Sequence, residues 1–395
     1  MIYSEKIMAA LDSRRFDFTS FESDLRAQLS IYAEALDRLG STTFEELTAR
    51  LGAFDSPGAL PTEEFQNARA LVIPFDHEWR NHEEARAWGF ETLLGRTTFA
   101  ADGSQILPSK DFSVPVAAVQ VGWFENPHTV GGGYVKDASF EILSPSEVMV
   151  RTGGATEVSE QAVHRRRYGM EVGAIKNYML ATARRGFDQA RPPVVFFDSL
   201  LVISFAELLP DEQREFYVAE ITSLLATSKQ TNIPIVGYID TSFARDLINL
   251  LQSAFELEDA QKINDAGLLS PRMKWGDRSL LFRCARRGIL DSYGEEWCRQ
   301  IAFLYLKTSG DGPPSRLDVP LWVYERGLLD YVVDTVRGEV IVGNGYPYAI
   351  EAADQTAVIT TRDREMFYAL FQEFAEREQI NLRIARKAAS KAHRR

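Results

Sequence analysis

Two aspartates lie at the ends of apolar stretches, where a charged side chain is unexpected. Asp102 ends the run TTFAAD, and Asp198 follows the run PPVVFF. Short apolar runs of this kind are typical of strands buried on both faces of a sheet. Because an unpaired carboxylate at the end of such a strand is costly to remove from water, a chemical role would explain both residues.

Two further acids lie on faces that are otherwise apolar. Glu171 stands at helical spacing i, i+3, i+4 and i+7 with Ala174, Ile175 and Tyr178, which places it on the apolar stripe of a predicted helix. Asp354, in the sequence YAIEAADQTAVIT, likewise shares a helical face with apolar neighbours. Taken singly, each acid could be a helix cap, a turn residue or half of an ordinary ion pair.

Taken together, inward-facing carboxylates indicate a metal site. Clustered acids repel one another and take up protons unless a positive charge neutralises them. A set of oxygen ligands favours Mg²⁺ or Mn²⁺ over zinc, and the histidines show no metal-ligand spacing. Two such ions can activate water and stabilise the leaving oxygen of a phosphodiester. The chain shows no nucleophile elbow, Cys-His signature or Walker lysine loop that would indicate another chemistry.

The order of elements indicates the fold that would position these acids. From Thr97 onward the pattern predicts three strands joined by short turns, then a helix, a buried strand, a second helix and another buried strand. This is the order of an α/β, ribonuclease-H-like mixed sheet flanked by helices. We predict an N-terminal helical region at 1–95, a nuclease domain at 96–380 with a helical insertion at about 241–300, and a basic tail at 381–395.

The composition is that of a globular cytoplasmic protein. No apolar run is long enough to cross a bilayer, and the N-terminus lacks the pattern of a signal peptide. Cys284 and Cys298 are expected to be reduced thiols. The formal net charge of −12 argues against a protein that simply coats nucleic acid, but it does not exclude a nucleic-acid enzyme. The basic tail predicts a solvated helix end or a contact with phosphate or an acidic partner.

Several short motifs, in order, resemble the NurA nuclease family over about residues 79–359. FAADGSQILPSKD is similar to its A-x-DGS motif, RRRYGMEVGAI to its glutamate helix and VVFFDSLL to its second aspartate motif. KWGDRSLLF, RLDVPLWV and GYPYAIEAAD resemble its G-[DE]-R-S, R-x-[DE]-x-P and closing Y-P motifs. The ordered set is more specific than any one motif.

The resemblance implies a catalytic site and its cofactor. Asp102, Glu171 and Asp198 are then metal ligands, and Tyr346 steadies the phosphate or the attacking water. Asp354 stands where the family usually has histidine and is expected to bind the second of two Mn²⁺ or Mg²⁺ ions. Arg278 of the GDRS motif is either a structural salt-bridge partner or a phosphate contact.

The resemblance also implies an activity and its partners. The expected enzyme is a metal-dependent deoxyribonuclease, with 5′→3′ exonuclease and single-strand endonuclease activity, acting on single-stranded DNA and DNA ends. It is expected to form a homodimer and to work with a HerA-type hexameric ATPase in the end resection of double-strand breaks. Two alternatives stay open: a catalytically weak assembly subunit of a HerA-type complex, in which Asp354 marks a decayed site, and the same nuclease used in antiphage defence.

Overall fold

The computed structural model describes residues 3–68, 70–152 and 154–383. The chain forms two compact units, each built from two separate segments. The first unit comprises Met1–Glu78 and Tyr238–Leu321, and the second comprises Trp79–Gly237 and Trp322–Arg395. Most of the predicted basic tail, residues 384–395, lies outside the described residues.

The elements are numbered here in chain order. The helices are α1 (Ser4–Asp12), α2 (Arg15–Gly40), α3 (Phe44–Leu51), α4 (Glu64–Asn67), α5 (His82–Leu93), α6 (Pro145–Val148), α7 (Glu160–Arg185), α8 (Asp211–Thr231), α9 (Asp246–Phe255), α10 (Asp265–Leu269), α11 (Gly294–Trp297), α12 (Leu321–Glu325), α13 (Leu329–Val342), α14 (Tyr348–Ala357) and α15 (Thr361–Arg377). The strands are β1 (Gly58–Pro61), β2 (Val72–Ile73), β3 (Thr98–Ile106), β4 (Ala117–Asn126), β5 (Val135–Leu143), β6 (Met149–Thr152), β7 (Ala155–Val158), β8 (Val194–Phe197), β9 (Ile235–Ile239), β10 (Arg278–Ser279), β11 (Phe282–Ala285), β12 (Ile301–Leu306) and β13 (Ser315–Pro320). Short 3-10 helices lie at Ser204–Leu208, Ser270–Arg272 and Ile289–Tyr293.

The second unit contains a mixed sheet in which β5, β4, β3, β8 and β9 lie side by side. The pairs β3–β4 and β4–β5 are antiparallel, as expected for strands joined by short connections. The pairs β3–β8 and β8–β9 are parallel, and α7 and α8 form the connections that parallel pairing requires. If these five strands are renumbered 1 to 5 in the order in which they occur in the sequence, their order across the sheet is 3-2-1-4-5. The prediction of a ribonuclease-H-like mixed sheet is therefore confirmed.

The long helix α7 lies against this sheet with one apolar face. It begins where the Ser159 hydroxyl accepts a hydrogen bond from the Ala162 amide, and it ends at Gly186, whose φ of 80° lies in the region that favours glycine. Val172, Ile175 and Met179 are buried on its inner face. The apolar periodicity predicted this helix almost to the residue.

The first unit contains β12 and β13, which the apolar runs QIAFLYLKTS and LDVPLWVYE indicate, and further strands that the sequence did not indicate. Here β1, β11, β12 and β13 lie side by side and pair antiparallel, and β10 pairs with β12 and β2. The proline and glycine residues of SPGALP favour a loop, but Gly58–Pro61 forms strand β1. Its partner is β11, more than two hundred residues away, so local turn residues give no sign of the pairing. For the same reason the region 241–300, predicted to be mainly helical, also contains β10 and β11.

A buried ionic network lies in the core of the first unit. The Arg316 guanidinium donates to Asp318 at 2.8 Å and to Asp246 at 2.5 Å, and these three side chains are 0 to 1% exposed. Charges buried this deeply must be paired, since leaving one without its partner is strongly destabilising. The RLDVP motif therefore has a structural role within this unit.

None of the described helices combines the length and the apolar composition needed to span a bilayer.

Candidate metal centre

Asp102 and Asp198 occupy matching positions along two neighbouring parallel strands. The prediction that Asp102 ends its strand is wrong, because it lies near the middle of β3, whereas Asp198 directly follows β8. Thr98 pairs with Val194 and Ala100 with Phe196, and the same offset relates Asp102 to Asp198. Strands paired in this way lie about 4.8 Å apart, and residues at matching positions point to the same side of the sheet. Register therefore brings together two acids that are 96 residues apart in sequence.

The third acid, Asp354, is positioned by a close contact between α14 and β4. Gly122 is the cross-strand partner of Asp102. A Cβ at Gly122 would lie 2.5 Å from the Ala357 nitrogen and 2.6 Å from the Thr356 carbonyl carbon, so only glycine allows α14 to lie this close to the sheet. The contact brings the Asp354 carboxyl within hydrogen-bonding reach of the Asp102 carboxyl.

The fourth acid, Glu171, approaches from α7. A Cβ at Gly103 would lie 2.7 Å from the Arg167 Cγ and 3.3 Å from the Glu171 Oε2, so this glycine admits the α7 side chains to β3. The Arg167 Nη1 donates to the Gly103 carbonyl at 3.1 Å and to the Glu171 Oε2 at 3.2 Å. Arg167 thereby ties the buried Glu171 to the backbone next to Asp102.

Tyr346 completes the group from the segment that precedes α14. Its hydroxyl donates a 2.7 Å hydrogen bond to the Asp198 Oδ1. The sequence motif indicated Tyr346 as a site residue, and the structure places it against one of the predicted acids. A hydrogen bond of this kind fixes the carboxyl and favours its ionised form.

The acids influence one another electrostatically. Burial raises the pKa of Asp102 to about 6, and the nearby charges of Asp354 and Asp198 add to this effect. Burial raises the pKa of Glu171 to about 8; the positive charge of Arg167 opposes the shift, and Asp102 and Asp198 reinforce it. Burial also raises the pKa of Asp198, the hydrogen bond from Tyr346 opposes it, and Asp354 adds to it. Such shifts arise when like charges lie close together without a compensating cation. Of the four acids Glu171 is buried and Asp102 half-buried, whereas Asp198 and Asp354, the latter predicted to face inward, are exposed.

The donor set fits a hard divalent cation. Within residues 3–68, 70–152 and 154–383, no Lys or Arg forms an ion pair with Asp102, Asp198 or Asp354. In that same part of the chain, no three His, Cys, Asp or Glu side chains form a ready-made metal-binding group. The chemistry of the donors, which are all carboxylate oxygens, nevertheless suits Mg²⁺ or Mn²⁺, and a cation would relieve the repulsion that raises these pKa values.

Arg278, by contrast, lies in the first unit in a buried ion pair. Its guanidinium donates to both carboxylate oxygens of Glu64, at 2.6 and 3.1 Å, and the Arg278 residue is 4% exposed. This geometry favours the structural alternative for Arg278 over a phosphate contact. The neighbouring Asp277 of the same motif accepts hydrogen bonds from the Phe75 and Lys274 amides.

Three residues of the site were not predicted as site residues. Gly122 could have been noticed, because an isolated glycine inside the apolar run VPVAAVQVGWF often marks a close backbone approach. Gly103 lay inside a recognised motif but had no assigned role. Arg167 stands four residues before Glu171, the spacing of an i,i+4 ion pair on a helix.

A ribonuclease-H-like sheet with interacting carboxylates on β3 and directly after β8 defines the class: the protein is a nuclease, a hydrolase of phosphodiesters. A family model described as the NurA domain matches residues 96–359. Because the match covers more than half of the chain, the protein belongs to the NurA family. Comparison with curated proteins gives no significant sequence match.

Solved structures similar to this chain include two of NurA. A crystal structure of NurA with manganese matches with a TM-score of 0.41 and 9% identity, covering 79% of this chain and 95% of that chain. A crystal structure of NurA bound to dAMP and manganese matches with a TM-score of 0.37 and 9% identity, covering 69% of this chain and 86% of that chain. The catalytic domain of human endonuclease V matches with a TM-score of 0.32 and 12% identity, covering 76% and 92% of the two chains.

Proposed function

We propose that this nuclease is a metal-dependent deoxyribonuclease whose catalytic site is formed by Asp102, Glu171, Asp198, Asp354 and Tyr346. The observation that supports the proposal is the electrostatic coupling of the acids, which come from β3, α7, the end of β8 and α14. A purely structural cluster would pair its acids with Lys or Arg, as the Arg316 network of the first unit does. Among the described residues, Glu171 alone of the four acids has such a partner.

The proposed role of each residue follows from its position. Asp102 on β3 and Asp198 directly after β8 would hold the cations, with Asp354 binding the second ion. Glu171, tied down by Arg167, would complete or orient the ligand set. Tyr346 holds the Asp198 carboxyl in place and adds a hydroxyl near the reacting phosphate. When bound, a pair of Mn²⁺ or Mg²⁺ ions supplies an activated water and stabilises the leaving oxygen of an in-line displacement.

The proposed substrates are single-stranded DNA and DNA ends. The finer activity, 5′→3′ exonuclease and single-strand endonuclease, rests on the family. The proposed location and partners also rest on the family: we propose a cytoplasmic homodimer that works with a HerA-type hexameric ATPase in end resection. The net charge of −12 agrees with dependence on a partner, because a strongly acidic chain binds DNA weakly alone.

The variant Asp102→Asn tests the catalytic assignment. It should abolish cleavage of labelled single-stranded DNA in Mn²⁺ while the protein stays folded, because the amide is a neutral near-isostere of a carboxyl whose charge is already disfavoured. Asp111→Asn is the matched control: it removes an exposed aspartate from the same stretch of chain and should leave cleavage unchanged. Wild-type cleavage rates in purified Asp102→Asn protein would show that the site is elsewhere.

A further inference from the structure

An aromatic cluster lies beside the acids and has no role in the proposed chemistry. We use this name for Tyr168, Phe197, Phe205 and Tyr217. Tyr168 stands one helical turn before Glu171 on α7, and Phe197 immediately precedes Asp198. The Tyr168 and Phe197 ring centroids are 6.3 Å apart. The cluster therefore begins at the backbone that positions two of the acids.

Phe205 is the exposed member of the aromatic cluster. It lies on the 3-10 helix that follows Asp198, with its ring centroid 6.1 Å from that of Tyr168 and 5.1 Å from that of Tyr217. Tyr168 and Tyr217 are 6% and 5% exposed, whereas Phe205 is 51% exposed. Both tyrosines meet Phe205 nearly perpendicular, at 69° and 84°, so neither is stacked in parallel on its ring. Phe205 is thus a ring held by buried neighbours and open to a further ring.

Positive charge lies next to the aromatic cluster. Burial raises the pKa of the Tyr217 hydroxyl, and the nearby charges of Arg167 and Arg165 partly oppose that shift. The Arg165 guanidinium lies 5.3 Å from the centroid of the Phe216 ring, and its side chain is 44% exposed. The Arg165 guanidinium also lies 4.0 Å from the Glu212 carboxylate. The arginines thus lie beside the buried side of the cluster, next to Tyr217 and Phe216, and Phe205 forms its exposed side. Exposed rings with nearby cations are typical of surfaces that bind single-stranded nucleic acid, in which bases stack on rings and cations follow the phosphates.

We infer that Phe205 stacks a nucleobase of single-stranded DNA whose backbone passes the acids, with Arg165 and Arg167 beside the phosphates. The inference rests on the proposed function and names how its substrate is held. A stacking contact of this kind accepts any base, because every base presents a ring face. The contact would therefore give the enzyme a preference for unpaired strands without a preference for sequence.

The test uses Phe205→Leu, which keeps an apolar side chain against Tyr168 and Tyr217 but removes the ring. Phe90→Leu is the matched control: Phe90 is 61% exposed and lies on α5, which precedes the start of β3, whereas Phe205 lies beyond the carboxyl end of the parallel strand β8. Binding of a fluorescent single-stranded oligonucleotide is measured by anisotropy in Ca²⁺, and KM and kcat are measured in Mn²⁺. Phe205→Leu should raise Kd and KM about tenfold with kcat within about twofold, and Phe205→Trp should bind like the wild type.

Oligonucleotides with a single abasic position identify the stacked base. Moving the abasic position along the strand should raise the wild-type Kd about tenfold at one position, and Phe205→Leu should show no further rise there, because the same contact is already lost. Equal Kd values for Phe205→Leu and Phe90→Leu would overturn the inference. If wild-type protein binds but does not cut, and the Phe205→Leu loss persists, the stacking site stands and the proposed nuclease activity fails.

Discussion

The Tyr346 hydroxyl donates a 2.7 Å hydrogen bond to the Asp198 carboxylate, although 148 residues separate them in the chain. This contact connects the segment before α14 with the end of β8. It also opposes the effect of burial on Asp198, whose pKa is raised. Tyr346 therefore orients an acid of the site and favours its ionised form, against the larger effect of burial.

Removing this hydroxyl tests its contribution. Tyr346→Phe should lower kcat about tenfold or more, because a hydrogen bond to a charged group contributes about 1.5–3 kcal/mol. The acid limb of the pH–rate profile should also move to higher pH, since the interaction that lowers the pKa of Asp198 is lost. Tyr348→Phe is the control, because the Tyr348 ring packs against Phe124 and its loss of a hydroxyl should leave the profile in place. Identical profiles for the two variants would contradict the role given to Tyr346.

The substitution Asp354→His introduces the residue that the motif resemblance to the NurA family leads us to expect at this position. Because either a carboxylate oxygen or an imidazole nitrogen can bind Mn²⁺, the variant should keep or raise Mn²⁺-dependent cleavage of single-stranded DNA. Its activity in Mg²⁺ should fall relative to Mn²⁺, since Mg²⁺ prefers oxygen ligands. Complete loss of cutting in both metals would show that the carboxylate itself is required.

Metal binding should depend strongly on pH. The pKa values of Asp102, about 6, and Glu171, about 8, apply to the metal-free site, where burial and like charges favour the protonated forms. A cation binds the ionised forms, so Mn²⁺ affinity should rise between about pH 5.5 and about pH 8.5, and binding should release protons. Calorimetry in buffers of different ionisation enthalpy measures that release. Glu171→Gln should release fewer protons than the wild type, and an equal number would contradict the pKa assigned to Glu171.

The same shifts have a signed effect on stability without metal. An acid whose pKa is higher in the folded state stabilises the fold fully below its unfolded pKa, near 4, and loses that contribution as pH rises through the folded pKa. For Glu171 the loss should extend to about pH 8. In EDTA the wild-type Tm should therefore fall between about pH 5 and about pH 9 more than the Tm of Glu171→Gln. Parallel Tm curves would argue that Glu171 is not destabilised by burial.

Replacing each of two glycines with alanine should change the stability of the fold in opposite directions. Gly122→Ala should destabilise the fold by about 1–3 kcal/mol and lower activity, because its Cβ would meet the α14 backbone at 2.5 Å. Gly173, on α7, has open space around the position of a Cβ, so Gly173→Ala should stabilise the helix by about 0.5–1 kcal/mol. Chemical denaturation measures both changes. Equal stabilities for the two variants would show that α14 can move away from β4 at little cost.

The part of the fold that the sequence predicted is the part governed by local patterns. The run VVFF and the periodicity around Glu171 identified β8 and α7, and their order led to the ribonuclease-H-like sheet. Strand β1 was missed because its partner residues, such as Cys284 for Ala59, are distant in sequence. Pairing at such distances is decided by the whole core and leaves little local trace.

The residues of the candidate site also differ in whether the local sequence identifies them. The acids could be named from sequence because a carboxylate on an apolar face is conspicuous. Phe205 could not, because in LLVISFAELLP it is one apolar residue among many and its exposure depends on packing. Arg278 was left between two roles until its partner Glu64, 214 residues away, was known.

The four acids lie on β3, on α7, directly after β8 and on α14. Because these segments are far apart in sequence, the ribosome synthesises them at different times. A ribosome that has synthesised the chain only as far as Asp198 has made three of the four, but neither Tyr346 nor the helix that brings Asp354 to Asp102. Under the proposed assignment the catalytic site is therefore incomplete during synthesis, and it is completed only when the last of these segments folds onto the sheet.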